Sequence, residues 1–282
     1  MKKLALTSLL AFMAVSGAHA ANVIDGNPLY MPRAGHFYSE TMLAGHTHTE
    51  PADIVALGEE FGYGITDKLA INVGTTLFEN DGFDDYGWDG LSFGLTFRAL
   101  ESDGFVADVY GGVAYEGMYL HTKDEMADGK KNHWFDKDLS EYTWTAGIRG
   151  GYMSDMFTIA GHAEFNYNNA EMFRWGWYGE HTLSLGLDGQ FVIDQNWNLV
   201  GGVEYTGVLD KNMATYSKDK GIIENKNEGV WDGYFGVNYN FDATKYIGAY
   251  IEGSLNHHGG DAADEWDWDK GFGFGMKFGI DF

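Results

Sequence analysis

The sequence has no cysteine and only three prolines in 282 residues. A chain without cysteine forms no disulfide bonds, so only non-covalent contacts hold its fold. Pro28, Pro32 and Pro51 lie outside the strand-like runs described below or directly before one. Strands tolerate proline at such places, because its nitrogen cannot donate a hydrogen bond to the sheet. The scarcity of proline therefore leaves most of the chain open to strand pairing.

Basic residues are scarce as well. The chain carries 18 Lys and Arg residues against 42 Asp and Glu residues, and its formal net charge is -24. Nucleic acid and other anionic polymers repel so acidic a chain, so no nucleic-acid partner is expected. The charge favours cations as partners, or a surface that divalent cations hold together.

Long apolar runs are absent after the start of the chain. Lys2 and Lys3, the apolar stretch that follows them, and Ala18-His19-Ala20 predict a cleaved signal peptide over residues 1–20. The apolar stretch is shorter than the roughly 20 residues of a membrane-spanning helix. The segment is therefore expected to direct export, with the exported chain beginning near Ala21.

The end of the chain shows the pattern that dominates the rest. From Phe272 to Phe282 the even positions are apolar or aromatic, and the odd positions are Gly, Lys or Asp. Strict alternation is the period of a strand with one apolar face. The same pattern recurs from His36 onward and predicts about twelve strands. They span residues 35–45, 52–65, 69–78, 90–100, 105–116, 141–153, 156–168, 180–192, 197–207, 230–241, 245–256 and 270–282.

The connections between these strands alternate in length. Every second connection is a tight turn rich in Asp, Asn, Ser and Gly, residues that favour turns. The connections between these turns are longer and more polar. They span residues 46–51, 79–89, 117–140, 169–179, 208–229 and 257–269. Alternation of short turns and long loops is typical of barrels that keep their turns on the periplasmic side and their loops outside the cell.

A strand in lipid must belong to a closed barrel, because no strand edge can remain unpaired there. The predicted fold is therefore all-β, a closed antiparallel transmembrane β-barrel of about 12 strands over residues 35–282. Residues 21–34 lack the alternation and are predicted to be a periplasmic lead-in.

The terminal strand, which closes on the aromatic Phe282, resembles that of bacterial outer-membrane β-barrel proteins. The whole pattern is similar to porin-like barrels with about twelve strands, such as the nucleoside-channel and oligogalacturonate-channel families. The resemblance implies location in the bacterial outer membrane. It also implies recognition by the barrel-assembly machinery through the C-terminal strand. It carries no motif that identifies a solute.

The inward face of the predicted strands carries charged residues among many small ones. The predicted pore-lining residues are Glu40, Glu60, Arg98, Asp108, Glu116, Arg149, Glu164, Asp188, Glu204, Asp232, Glu252 and Lys277. Acidic residues outnumber basic ones in this set by about three to one, which predicts mild cation selectivity.

Two contacts are expected within this set. Arg98 and Asp108 lie on adjacent strands across a short turn and are expected to face each other. Arg149 is expected to reach His162 or Glu164 in the same way. Such pairs fit either a lattice that stiffens the barrel or a field across a water-filled lumen, and the sequence leaves both open.

Two smaller expectations concern the outward face. Glu59 shares its parity with Phe61 and Tyr63, so a bulge near Glu59 and Glu60 is predicted to turn the carboxylate away from lipid. Aromatic residues near the strand ends predict two interfacial girdles. They are Trp88, Trp175, Trp177, Trp231, Trp266 and Trp268 at the outer side, and Tyr152, Trp197, Tyr246 and Phe282 at the periplasmic side.

The predicted function is a narrow, monomeric passive pore for small hydrophilic solutes. The alternative is a closed structural or adhesive barrel that acts through the loops at 117–140 and 208–229. Lys residues concentrate in these loops, which suggests contact with lipid and lipopolysaccharide. Divalent cations would bridge the acidic residues to the same layer.

A membrane-embedded hydrolase is the third interpretation, and it has the least support. No outward Ser–His pair stands in strand context, and no motif fixes the geometry of His121, His133 and His181 near the outer rim. No catalytic residue and no cofactor are predicted.

Three groups of residues carry side chains that are able to ligate a metal ion. Two acidic groups suit Ca²⁺ by their oxygen ligands but lack a calcium-loop spacing. His46, His48, His257 and His258 would meet if the first and last hairpins are neighbours. The acidic groups are Asp81, Asp84, Asp85 and Asp89, and Asp261, Asp264, Glu265, Asp267 and Asp269. No resident metal is predicted at any of them.

Overall fold

The computed structural model describes most of the chain in nine stretches. They are residues 26–47, 54–80, 85–122, 141–170, 180–209, 213–217, 221–225, 229–258 and 272–282. Within these stretches no helix has the length and apolar character needed to cross a membrane.

Fourteen strands account for nearly all of the described residues. Their bounds are β1 Phe37–Thr47, β2 Ile54–Thr66, β3 Leu69–Asn80, β4 Asp85–Ser102, β5 Phe105–Thr122, β6 Glu141–Met153, β7 Phe157–Ala170, β8 Glu180–Val192, β9 Trp197–Val208, β10 Met213–Ser217, β11 Gly221–Asn225, β12 Gly229–Asp242, β13 Lys245–His258 and β14 Phe272–Asp281.

Twelve of these strands form one closed antiparallel barrel. The order around the barrel is β1-β14-β13-β12-β9-β8-β7-β6-β5-β4-β3-β2. Each barrel strand therefore pairs with the barrel strands before and after it in the chain, β9 pairs with β12, and β1 pairs with β14. The predicted fold class and strand number are confirmed. The two remaining strands, β10 and β11, form a separate hairpin inside the connection that was predicted as a loop at 208–229.

The seam between the first and last strands closes at the end of the chain. The Phe37 nitrogen donates to the Phe282 carbonyl oxygen at 3.2 Å, and the Phe282 nitrogen donates to the Phe37 carbonyl oxygen at 2.7 Å. The two rings lie 6.0 Å apart between centroids. The backbone of Phe282 therefore takes part in the ladder that removes the last free edge.

The two faces of the barrel wall differ as the alternation predicts. On β14 the side chains of Phe272, Phe274, Met276 and Phe278 are exposed, whereas the glycines between them are buried. Large apolar side chains are exposed around the whole wall. Since no protein covers this belt, it suits the hydrocarbon of a bilayer.

The β4–β5 hairpin is longer than predicted. The strands run over 85–102 and 105–122 instead of 90–100 and 105–116, so parts of the predicted loops at 79–89 and 117–140 are paired strand. The register of this pair shifts between Trp88 and Gly90, and again between Arg98 and Leu100. Strict alternation of residues along one strand does not predict such a shift in pairing, because a bulge adds one residue to one strand alone.

The predicted bulge near Glu59 and Glu60 is wrong. The register of β2 runs without a shift through these residues against both β1 and β3. Glu59 therefore faces outward, and its carboxylate accepts hydrogen bonds from the hydroxyls of Ser39 and Thr41, both at 2.6 Å. Two neighbouring hydroxyls thus partly replace the hydration that a carboxylate loses on an apolar surface.

Replacing Glu59 with Leu is expected to stabilise the barrel. The change removes a carboxylate from the apolar belt and should raise the free energy of unfolding by about 1 kcal/mol. Urea unfolding in lipid vesicles, followed by Trp fluorescence, measures this change. Asp155→Leu, in the exposed turn between β6 and β7, is the control and should not stabilise. A lower free energy for Glu59→Leu would show that the hydrogen bonds to Ser39 and Thr41 outweigh the desolvation of the carboxylate.

One member of the predicted girdles lies on the other face of the wall. Tyr246 is buried inside the barrel, with 1% of its surface exposed, and its hydroxyl donates to Glu40 at 2.6 Å. Trp197 and Phe282 are exposed on the outward face. Trp175, Trp177, Trp266 and Trp268 lie outside the described residues.

Candidate functional site

The lumen carries the charged residues on which the sequence analysis based its pore. The structure places these eleven on the inward face: Glu40, Glu60, Arg98, Asp108, Arg149, Glu164, Asp188, Glu204, Asp232, Glu252 and Lys277. The side chain of Glu116 lies outside the described part. The wall thus brings the predicted residues into one shared interior.

Asp108 joins two arginines near the end of the barrel that holds the short turns. Its Oδ1 lies 2.9 Å from Arg98 Nε, and its Oδ2 lies 2.8 Å from Arg149 Nη2. The side chain of Asp108 is fully buried. The expected contact between Arg98 and Asp108 is confirmed. Arg149, in contrast, turns to Asp108 rather than to the partners expected for it, His162 or Glu164.

The N-terminal strap, defined as residues 26–36, crosses this end of the barrel. Leu29 has none of its surface exposed and packs with Val106 and Ala160 of the inner wall. Arg98 Nη2 donates to the Leu29 carbonyl oxygen at 2.5 Å. Arg149 donates to the carbonyl oxygens of Pro28 at 3.3 Å and Tyr30 at 3.1 Å. The two arginines therefore bind the strap as well as Asp108.

Both ends of the strap also contact the wall. The hydroxyl of Tyr30 donates to Asp281 on β14. The Gly35 nitrogen donates to the Gly64 carbonyl oxygen at 2.8 Å, and the Gly64 nitrogen donates to His36 at 3.0 Å. At the other end, Gly26 lies so close to Asn238 that a methyl group there would clash with its amide. The strap therefore spans the opening from β12 to β2.

Sequence reasoning did not find the strap. It predicted residues 21–34 only as a lead-in before the barrel, because the segment has no strand periodicity. An apolar Leu29 and Met31 between two prolines were the signal available, and both side chains are buried. Such a short pattern does not say which surface covers it.

Tyrosines form a second set of inward residues that the sequence analysis missed. A methyl group on Gly275 would lie 2.2 Å from the Tyr250 ring, so this ring occupies the space directly over the glycine. The same arrangement occurs in four pairs on neighbouring strands. They are Tyr38 with Gly62, Tyr110 with Gly147, Tyr234 with Gly202, and Tyr250 with Gly275. Each ring therefore lies along the wall, and only glycine leaves it room to do so.

Three tyrosine hydroxyls donate to lumen carboxylates. Their hydrogen bonds are Tyr38 to Glu60 at 2.6 Å, Tyr246 to Glu40 at 2.6 Å, and Tyr234 to Asp188 at 2.9 Å. These bonds hold the carboxylates against the wall and fix the rings. The inward parity that tyrosines share with the acidic residues was the signal that could have found them.

His162 lies between two carboxylates. Its Nδ1 is 3.0 Å from Asp188 Oδ2, and its Nε2 is 2.6 Å from Glu204 Oε2. An imidazole donates from both nitrogens only when both carry a proton. The arrangement therefore suits an imidazolium that links β7, β8 and β9.

Lys277 is the ammonium group on the opposite wall. Its Nζ lies 3.6 Å from Glu40 Oε1 and 5.5 Å from the centroid of the Tyr250 ring. The second distance lies within the range of a cation–π contact. An alkylammonium thus sits between a carboxylate and an aromatic face within the lumen.

A cavity of about 100 Å³ lies between these walls. Its volume is several times what one water molecule requires. Its charged lining residues are His162, Asp188, Glu204, Asp232, Glu252 and Lys277, and Tyr234, Asn238, Tyr246 and Tyr250 supply further polar groups. The four carboxylates outnumber the Lys277 ammonium and the His162 ring, which contacts two of them, so the cavity has a negative field that attracts cations.

Most of the candidate metal ligands and rim histidines lie outside the described residues. Within the described ranges, no group of three or more His, Cys, Asp or Glu residues could hold a metal ion. The side chains of both acidic groups and of the four paired histidines lie outside the described part, as do His121 and His133. His181 lies outward against Tyr167, at 4.8 Å between ring centroids.

Comparison with known proteins shows the fold alone. No protein-family model matches the sequence, and no curated protein sequence matches it. The COG4313 outer membrane channel from Pseudomonas putida is similar with a TM-score of 0.58 and 11% identity, over 92% of this chain and 100% of that chain. The NanC porin has a TM-score of 0.54 and 6% identity, over 86% and 98% of the two chains. A KdgM porin in complex with disordered oligogalacturonate has a TM-score of 0.51 and 7% identity, over 87% and 99%.

Proposed function

We propose that the protein is an outer-membrane barrel that forms a narrow passive pore for small hydrophilic solutes and mildly favours cations. The observation that carries the proposal is the excess of lumen carboxylates over arginine and lysine within a closed barrel. Solved barrels of similar fold are porins and channels. No catalytic step is part of the proposal.

The charge distribution supports cations over anions. Arg98 and Arg149 both contact Asp108 and carbonyl oxygens of the strap, so their positive charge is confined to one end of the lumen. The remaining interior is dominated by carboxylates, which lower the energy of a passing cation. A polyanion such as oligogalacturonate, present in the KdgM complex, is therefore not the expected solute here.

The alternative is a closed barrel that acts through its outer loops. Two observations favour it. The strap fills part of the interior at one end, with Leu29 fully buried. The β10–β11 hairpin also gives paired structure to one of the long outer connections. Lipopolysaccharide contact through these loops, and recognition of the last strand by the assembly machinery, fit either function and are part of the proposal.

Neutralising lumen carboxylates is expected to lower cation selectivity. In a planar bilayer with a KCl gradient, the refolded barrel should give a reversal potential that marks K⁺ as the more permeant ion. The double variant Asp232→Asn, Glu252→Gln should lower the K⁺/Cl⁻ permeability ratio about twofold, because the lumen field weakens.

The control for this measurement is the double variant Asp155→Asn, Asp194→Asn, since both residues lie in exposed short turns. They remove the same charge outside the lumen and should leave the ratio unchanged. Preference for Cl⁻ at moderate salt would refute the proposed selectivity. A correctly refolded barrel that does not conduct would favour the alternative.

A further inference from the structure

We propose that the lumen wall of β9, β12, β13 and β14 binds the ammonium group of small organic cations. The inference rests on the proposed pore, because it names the class of solute that this interior takes. In addition to the excess of negative charge, it depends on two tyrosine rings and on the ammonium group of Lys277.

Two tyrosine rings lie against glycines of the neighbouring strands. Tyr250 lies over Gly275 and Tyr234 lies over Gly202, each with ring atoms less than 2.7 Å from where a glycine methyl would stand. Both rings line the cavity, and the Lys277 ammonium lies over the Tyr250 ring, 5.5 Å from its centroid. The face of an aromatic ring carries partial negative charge and attracts cations.

Carboxylates also line this cavity. Asp232 and Glu252 lie there together with Glu204, which contacts His162 at 2.6 Å. Ser254 donates to Asp232 at 2.7 Å, which fixes the direction of this carboxylate. A carboxylate and a ring face together favour a cation that carries carbon groups, since such a cation is more weakly hydrated than a small metal ion and gains from contact with the ring. Charge alone would not make this distinction.

Lys277 shows that an alkylammonium fits this wall. Its Nζ lies 3.6 Å from Glu40 and 5.5 Å from the Tyr250 centroid. The lysine ammonium thus makes the two contacts that an incoming ammonium would make. As a tethered cation it also competes for the Tyr250 face, so it keeps the affinity for a mobile cation low enough for release.

The chemical class follows from these contacts. A small ammonium bearing methyl or methylene groups gains from both the ring and the carboxylates. A neutral molecule of the same shape loses the electrostatic attraction, and an anion is repelled. The test therefore compares choline with its neutral isostere 3,3-dimethylbutan-1-ol (dimethylbutanol below), in which carbon replaces nitrogen.

Binding is measured by isothermal titration of choline into the refolded full-length barrel in detergent, so the result does not depend on conduction. Choline is expected to bind and dimethylbutanol is not. Tyr250→Leu should weaken choline binding about fivefold, because it removes the ring without changing any charge. Tyr250→Phe keeps the ring and should bind as the wild type does. Tyr63→Leu, on the outward face, is the matched control.

A companion measurement is the block of K⁺ current by choline in a planar bilayer. Tyr250→Leu should raise the half-blocking concentration by the same factor at unchanged K⁺/Cl⁻ selectivity, and Lys277→Met should lower it. Equal binding of choline and its isostere would overturn the inference, as would equal binding by Tyr250→Leu and Tyr250→Phe. If the barrel prefers K⁺ but gives either of these negative binding results, the ammonium inference fails and the proposed pore stands. If choline binds to a barrel that does not conduct, the proposed pore fails and the ammonium inference stands.

Discussion

Deleting residues 26–34 is expected to raise the single-channel conductance by about twofold or more, because conductance follows the narrowest part of a pore. These residues lie across the interior from the β12 wall to the β2 wall. Leu29 fills space against the wall that water would otherwise occupy. Conductance steps in a planar bilayer, compared with those of the intact barrel, measure the change.

The variant Leu29→Asp tests the same idea without shortening the chain. A carboxylate cannot remain at a position with no exposed surface unless it is paired, so the strap should detach from the inner wall of the barrel. Its conductance should approach that of the deletion. Ala243→Asp, in the exposed β12–β13 turn, adds the same charge as a control and should conduct as the intact barrel does. Unchanged conductance in both strap variants would show that the strap does not restrict the path.

Replacing Asp108 with Asn is expected to lower the free energy of unfolding by about 3–5 kcal/mol, the usual effect of removing one partner from a buried ion pair. The Asp108 carboxylate lies between two buried guanidinium groups. Among the described residues, its loss leaves Arg149 without a carboxylate contact, and leaves Arg98 only the 3.4 Å contact to the exposed Glu101, in a region that water barely reaches. Urea unfolding in lipid vesicles measures this loss, and Asp155→Asn in an exposed turn is the control.

A compensating variant separates the charge effect from packing. Arg98→Met and Arg149→Met combined with Asp108→Leu should recover most of the lost stability, since apolar residues of similar volume replace a buried ionic group well. The same variant also frees the strap carbonyls from their two donors. It should therefore resemble the strap deletion in conductance. Unfolding of Asp108→Asn at the same urea concentration as the control would contradict the proposed role of Asp108.

The amino-acid sequence alone was sufficient to predict the strands and turns of the barrel wall. Alternation of apolar residues with small or polar ones is a local property of each strand, and β14 shows it from Phe272 onward. The short turns are equally local, since Asp, Asn, Ser and Gly favour them wherever they occur. The contact of Arg98 with Asp108 was predictable for the same reason, because a tight turn brings the two residues together.

The interior depended on contacts between distant parts of the chain. Arg149 lies directly across from Asp108 on β5 and from His162 on β7, and it contacts Asp108 and the strap carbonyl oxygens. The strap has no strand periodicity, so the sequence does not show where it lies. Tyr246 was assigned to the lipid interface, yet it lies inside. Glu59 stays outward because Ser39 and Thr41 donate to it from the neighbouring strand, which makes a bulge unnecessary. A strand's period sets which residues share a face, but only closure of the barrel decides what each face meets across the lumen.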